Sequence, residues 1–274
     1  MIWQDEAQLL KQQGKSWTEI ANALQKHFPD LTEIQRVRKA RTIQKESPKT
    51  AVGVIGDTHI PFEHENYLQF LIDTFKTYRV GRVVHIGDII DHHAMSRFQK
   101  EPQSYGAKQE RELARLKLQE YYKAFPKLDL ILGNHDERII NMAASVGIDR
   151  DIIKGLDEIY GIPKGWNIHN EIVIDDVLYK HGVNCGGADG ALRTALLERM
   201  STVIGHYHSG GGVKYSANKR DIIFGLNAGC GISISQYAFA YGTHAKYRPT
   251  LGCGVVFSST SAIFVPMSAK WFRN

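Results

Sequence analysis

Five short polar clusters in this chain carry side chains able to bind metal ions. In order they are Gly56-Asp57-Thr58-His59, Gly87-Asp88-Ile89-Ile90-Asp91, Gly133-Asn134-His135-Asp136, Lys180-His181-Gly182 and Gly205-His206-Tyr207-His208. Their donors are carboxylate, imidazole and amide groups, with no thiolate among them. Such nitrogen and oxygen sets suit Mn²⁺, Fe, Zn²⁺, Co²⁺ or Ni²⁺. The glycines let the backbone turn sharply and bring short side chains close to an ion. One Asp-x-His or one Gly-Asp turn is ordinary, and His85, His92, His93 and His244 read equally well as core or surface histidines. Gly-His-Tyr-His carries more information, because imidazoles at i and i+2 of an extended segment point the same way. Five clusters in this order point to a single divalent-metal site.

The elements that must hold these clusters can be read from hydrophobic periodicity. Apolar runs at 51–55, 82–86 and 128–132 end at the first three clusters. Tyr67, Leu68, Leu71, Phe75 and Tyr78 mark an amphipathic helix, and Ala114, Leu118, Tyr121, Tyr122 and Phe125 mark a second. Strand, polar loop and helix repeat, which is the α/β signature. Further strands are expected at 171–174, 177–180, 202–204 and 254–265. Open α/β sheets build their sites just past the carboxyl ends of strands, where these clusters fall.

The set DTH, GDxxD, GNHD, KHG and GHYH resembles the calcineurin-like metallophosphoesterase family over about residues 50–265. That resemblance implies a four-layer α/β/β/α sandwich around a dinuclear metal centre. It places Asp57, His59 and His208 on one metal, Asn134, His181 and His206 on the other, and Asp88 between them. It makes His135 the non-ligand histidine facing substrate, Asp136 the group that orients it, and Asp91 an outer acceptor. The cofactor expected is a pair of divalent ions, Mn²⁺ first, with Fe, Zn²⁺, Co²⁺ or Ni²⁺ also suited. Two cations about 3.5–4 Å apart clamp a phosphoryl group and activate water, so the implied reaction is hydrolysis of a phosphate mono- or diester. His135 would donate a proton or hydrogen bond to the leaving oxygen. Members similar to serine/threonine protein phosphatases read GDxxDR, whereas His92 follows Asp91 here. Arg97 or Arg138 could supply the missing cation, or could be surface residues.

The chain has 274 residues, with 43% hydrophobic and 23% charged residues, as expected of a globular protein. No run approaches the roughly 18 apolar residues of a membrane span. The N-terminal MIWQDEAQLL is acidic and amphipathic, unlike a signal peptide, and the three cysteines form no CxxC pair. A cytoplasmic location is expected, in a host cell if the chain is phage-encoded, because the layout also resembles metallophosphoesterases of bacteriophage genomes.

Residues 1–46 read as a three-helix module and 51–274 as the catalytic domain. Ser16-Trp17-Thr18-Glu19 fits a capping box. Trp17, Ile20, Ala21, Leu24 and Phe28 follow at helical spacing, and Leu31, Ile34 and Val37 start a third helix. The plan resembles helix-turn-helix and Myb-like DNA-binding modules. Residues 34–50 hold six cations against Glu46, which equals the whole chain's excess of +5. Thr32, Arg36 and Lys39 fall opposite the apolar stripe, with Arg38 and Arg41 nearer to it, and these five are the candidate nucleic-acid contacts. Nucleic acid is therefore the expected substrate, for a nuclease or an end-processing phosphatase. The alternatives are a small phosphate ester such as a cyclic nucleotide, with the helices used for packing or oligomerisation, and a DNA-binding protein with an inert core. The intact ligand set speaks against the last. Tyr237, Phe239, Tyr241, His244 and Tyr247 would line a groove or pack as loop aromatics.

Overall fold

In a computed structural model, residues 3–45, 50–96, 104–233 and 248–268 are described. Arg97 and the aromatic segment from Tyr237 to Tyr247 lie outside them. The chain divides into two compact units, Met1–Lys49 and Thr50–Asn274.

The small unit consists of α1 (Trp3–Gln12), α2 (Trp17–Ala23) and α3 (Glu33–Lys45). The capping box is present: Glu19 N–H donates to Ser16 Oγ at 3.2 Å, and Ser16 N–H donates to Glu19 Oε2 at 2.8 Å. Ala7, Ile20, Leu24 and Ala40 are buried together, against Trp3, Leu10, Trp17 and Phe28.

The face of α3 differs from the expected one. Ile34 is 67% exposed, while Arg36 is buried and donates from Nη1 to the Leu31 carbonyl. The helix start is capped within its own first turn. Thr32 and Gln35 cap each other, Gln35 N–H reaching Thr32 Oγ1 at 3.3 Å and Thr32 N–H reaching Gln35 Oε1 at 2.9 Å. The buried face is instead the one carrying Arg36 and Ala40, one helical turn apart, because Ala40 packs with Ala7, Ile20 and Leu24.

The large unit begins with β1 (Ala51–Ile55), α4 (Tyr67–Thr77), β2 (Val80–His85), α5 (Ala107–Ala124) and β3 (Leu128–Ile131). Next come α6 (Arg138–Ser145), α7 (Leu156–Tyr160), β4 (Trp166–His169), β5 (Glu171–Ile174) and β6 (Val177–Lys180). The chain continues through α8 (Gly190–Glu198), β7 (Ser201–Ile204), β8 (Gly212–Ala217), β9 (Ile222–Asn227), β10 (Gly252–Ser258) and β11 (Ser261–Pro266). The apolar stretch 254–265 is thus a hairpin rather than one strand, broken where Thr260 N–H folds back on Ser258 Oγ at 3.3 Å.

One sheet has the order β11-β10-β1-β2-β3-β4 and the other β5-β6-β7-β9-β8. The pairs β1–β2, β2–β3, β3–β4, β6–β7 and β7–β9 are parallel, and antiparallel strands close every edge but that of β4. Side chains alternate across β1. Val52 and Val54 join Val84, Ile131, Val177, Tyr179, Val203 and Leu226 in the layer between the sheets. Ile55 faces the other way, towards Tyr67, Leu71 and Phe75 of α4 and Leu118 and Tyr121 of α5. Ala191 and Ala195 are the buried apolar residues of α8, which packs on β9 of the second sheet. The result is the four-layer α/β/β/α sandwich. No helix among the described residues is long and apolar enough to cross a membrane.

Tyr67 ties α4 to the strand ends that lead to the metal-binding clusters. It is fully buried, donates from its hydroxyl to the Gly252 carbonyl at 2.7 Å and accepts from Gly56 N–H at 3.2 Å. Tyr67→Phe strands both backbone groups in a dry core. It should lower unfolding free energy in urea by about 1–3 kcal/mol, with the native circular dichroism kept.

Candidate metal centre

The five clusters fall at neighbouring strand ends. β1, β2 and β3 of the first sheet lead to Asp57, Asp88 and Asn134, while β6 and β7 of the second lead to His181 and His206. The core between the sheets therefore sets how closely the two halves approach. Two positions have no room for a side chain. A Cβ on Gly133 would lie 2.1 Å from Asp88 Oδ1, and one on Gly205 would lie 2.2 Å from Asp57 Oδ1. His59, Asp88 and His206 themselves adopt φ of +52°, +50° and +64°. Such left-handed backbone costs about 1–3 kcal/mol per non-glycine residue, and it concentrates at functional sites.

Asp57, His59, Asp88 and His208 each bring one ligand atom to within 4.8 Å of the others. Asp57 Oδ2 accepts from His206 N–H at 2.8 Å and lies 3.1 Å from His208 Nε2. His59 Nδ1 lies 2.7 Å from Asp91 Oδ1, which leaves His59 Nε2 as the inward atom, 3.0 Å from His208 Nε2. Asp88, His181 and His206 form a second group of the same kind, so Asp88 belongs to both. His181 Nδ1 donates to the Ile86 carbonyl at 2.9 Å, and its Nε2 lies 3.2 Å from Asp88 Oδ2 and 3.1 Å from Asn134 Oδ1. In both histidines an outer hydrogen bond selects the tautomer that presents Nε2 to an ion.

The electrostatics show how much this cluster depends on compensation. Burial favours a neutral Asp88, but His135, His181 and His59 outweigh it and hold its pKa well below the usual range. Burial likewise opposes charge on His181, yet Asp88 and Asp57 raise its pKa to about 10. Burial and the charge on His135 lower that of His59.

A cation fits these residues. Asp57 Oδ1 is buried without a hydrogen-bond partner. Three acceptor-type atoms, His59 Nε2, His208 Nε2 and Asp57 Oδ2, converge where one proton could serve only one contact at a time. The donor set, imidazole with carboxylate and one amide, suits borderline divalent ions.

His135 sits beside the cluster. Its N–H donates to Asp88 Oδ1 at 2.8 Å, and its Nδ1 lies 2.9 Å from the Asp91 carbonyl and 3.1 Å from Asp91 Oδ1. Asp91, and not Asp136, therefore orients the ring. The Asp136 carboxylate is occupied by backbone, accepting from Ile90 N–H at 3.1 Å and Gly133 N–H at 2.9 Å. It pins the second turn to the third, and burial together with the Asp88 charge raises its pKa to about 7. His85 and His92 are core histidines. His85 Nε2 meets Thr58 Oγ1 at 3.0 Å, and His92 bridges the His135 carbonyl and Tyr160 Oη at 2.7 Å each.

Arg138 is drawn into the site, with Nη2 lying 2.8 Å from His135 Nε2. Asn227 gave no motif signal, yet it braces the Gly-His-Tyr-His turn from β9. It donates from Nδ2 to the Tyr207 carbonyl at 2.8 Å and accepts from Gly229 N–H at 2.8 Å.

In the small unit, Thr32 and Arg38 are exposed, and Lys39 Nζ lies over the Phe28 ring at 4.5 Å and the Trp3 ring at 5.6 Å. Arg36 is buried and cannot reach a ligand as placed. Arg41 is on α3, with its side chain outside the description.

Asp91 holds both His59 and His135, so its loss should loosen two rings at once. Asp91→Ala should weaken Mn²⁺ binding, read by calorimetry, by about 10–100-fold while the circular dichroism stays native.

The family profile described as calcineurin-like phosphoesterase matches residues 50–221. A comparison with curated proteins finds no match. Among solved structures, a single mutant of Vps29 from Entamoeba histolytica is 14% identical with a TM-score of 0.36, covering 80% of this chain and 100% of its own. Vacuolar Protein Sorting 29 from Cryptosporidium parvum is 12% identical with a TM-score of 0.40, covering 80% and 98%. YfcE, a phosphoesterase from E. coli, is 14% identical with a TM-score of 0.38, covering 80% and 100%. Membership rests on the matched segment and on the site within it, not on these distant likenesses. Residues 50–221 contain all five clusters whole and all seven residues that converge here, and the chain belongs to the calcineurin-like phosphoesterase family, hydrolases of phosphate esters that use divalent metals.

Proposed function

We propose that this chain is a dinuclear-metal phosphoesterase that hydrolyses nucleic-acid phosphate esters, as a nuclease or an end-processing phosphatase. The observation that carries the dinuclear reading is Asp88, one carboxylate common to two separate donor groups. Asp57, His59 and His208 would hold one cation and Asn134, His181 and His206 the other, with Mn²⁺ the first ion to test. When bound, such cations polarise the phosphoryl group and lower the pKa of coordinated water. The protein's own groups do the rest. Asp91 fixes His59 and His135 in one tautomer each. His135 holds its Nε2 at the edge of the cluster, 3.9 Å from Asp88 Oδ2, where it can exchange a proton with the leaving oxygen.

The support for nucleic acid is the basic stretch 34–50, with Arg38 exposed on α3. Lysine and arginine contacts to phosphates give affinity that falls steeply with salt. The engagement of Arg36 and Lys39 inside the small unit favours a second reading, a small phosphodiester such as a cyclic nucleotide.

Labelled single- and double-stranded DNA, incubated with Mn²⁺, tests the choice. The wild type should release fragments or terminal phosphate. A chelator or Asp88→Asn should cut the rate by more than the roughly 100-fold typical of outer-shell groups. Arg38→Ala should lower DNA affinity and reduce the salt slope by about one. Hydrolysis of a cyclic dinucleotide or mononucleotide with no action on DNA would transfer the assignment to the second reading.

A further inference from the structure

The residue after the second aspartate of GDxxD is His92, and both its ring nitrogens are already occupied by the His135 carbonyl and Tyr160 Oη. It has nothing to offer a phosphate. A cation nevertheless stands at that place, delivered from the start of α6. Arg138 Nη1 lies 2.9 Å from the Asp91 carbonyl and 3.4 Å from the His92 carbonyl, so the guanidinium is anchored on the very backbone where GDxxD ends. Its Nη2 rests on His135 Nε2 at 2.8 Å, one imidazole away from Asp88.

Two features make this guanidinium a receptor and not only a brace. It has no carboxylate partner among the described residues, all its contacts being to two carbonyls and one imidazole. A half-buried cation whose direct contacts include no carboxylate, beside a site for anionic esters, gains from the ester's own charge. Moreover, a guanidinium carries five N–H donors. Nη1 spends its two on the carbonyls and Nη2 spends one on His135, which leaves Nε–H and one Nη2–H for a second acceptor.

We infer that Arg138 is the phosphate-binding residue of this site, taking a non-bridging oxygen of the ester through Nε–H and Nη2–H while its Nη1 stays fixed on the Asp91–His92 backbone. The inference rests on the phosphoesterase reading for its ligand. It assigns Arg138 a task separate from holding metal. No bond is made or broken by this residue.

The test uses the full Mn²⁺-loaded chain and its variants Arg138→Ala and Arg138→Lys. Calorimetry reads affinity for inorganic phosphate and, separately, for Mn²⁺, while bis(4-nitrophenyl) phosphate reports turnover. In Arg138→Ala, phosphate affinity should fall about tenfold or more and KM should rise in step, with Mn²⁺ affinity within about twofold of wild type. Millimolar guanidinium chloride should restore part of the loss. Arg138→Lys should fall between the two, because it keeps the charge and loses the fork, and it decides the matter if the alanine variant does not fold. Phosphate affinity unchanged in either variant would overturn the inference. So would parallel losses of phosphate and Mn²⁺ affinity, which mark a brace for the Asp91 turn. An inert wild type would fail the phosphoesterase reading, while phosphate calorimetry would still decide the role of Arg138.

Discussion

A carboxylate with 1% of its surface exposed, Asp88, governs this architecture. Burying an ion costs several kcal/mol unless opposite charge and hydrogen bonds offset it. Imidazoles surround Asp88, and the His135 backbone N–H donates to its Oδ1. Cations would fill the same need more completely, since each can meet several lone pairs at once. The surrounding backbone is shaped to this group. Asp88 takes a left-handed φ at the end of β2, and Gly133 leaves out the Cβ that would strike its carboxylate.

The sandwich earns its form from that requirement. Asp57 and His208 are 151 positions apart in sequence and meet at 3.1 Å. They meet because β1 belongs to one sheet, β7 to the other, and the two sheets are packed through Val52, Val54, Val203 and Leu226. Side chains alternate with a period of two along strands, so a one-residue slip of β1 would turn Val52 and Val54 out of that layer and carry Asp57 away from its partners. Outer hydrogen bonds then finish what packing begins. Ile86 sets the tautomer of His181, Asp91 sets His59, and Asn227 braces the turn bearing His206 and His208.

The metal-binding cluster was legible because its signals are local: short polar motifs, each at the end of an apolar run. Helices α4 and α5 were legible for the same reason, through their periodicity. What escaped depends on contacts between distant segments. The resemblance makes Asp136 the partner of His135, but the backbone of Ile90 and Gly133 claims its carboxylate. Asp91, 44 positions away, holds the ring instead. Arg138 could be weighed from sequence only as a cation or a surface residue, because its anchor is two carbonyls that carry no sequence signature. On α3, an assumed helix phase put Arg36 outside and Ile34 inside. Packing of Ala40 against Ala7, Ile20 and Leu24 reverses them, and that contact between separate helices is not written in the periodicity of one.

If one buried carboxylate serves two divalent ions, the metal content of the chain depends on Asp88. Counting bound Mn²⁺ per chain by elemental analysis after equilibrium dialysis, in wild type and in Asp88→Asn, tests it most directly. Two ions per wild-type chain are expected, with loss of at least one from Asp88→Asn under the same conditions. A single ion in wild type, or two ions retained in Asp88→Asn with unchanged affinity, would contradict it.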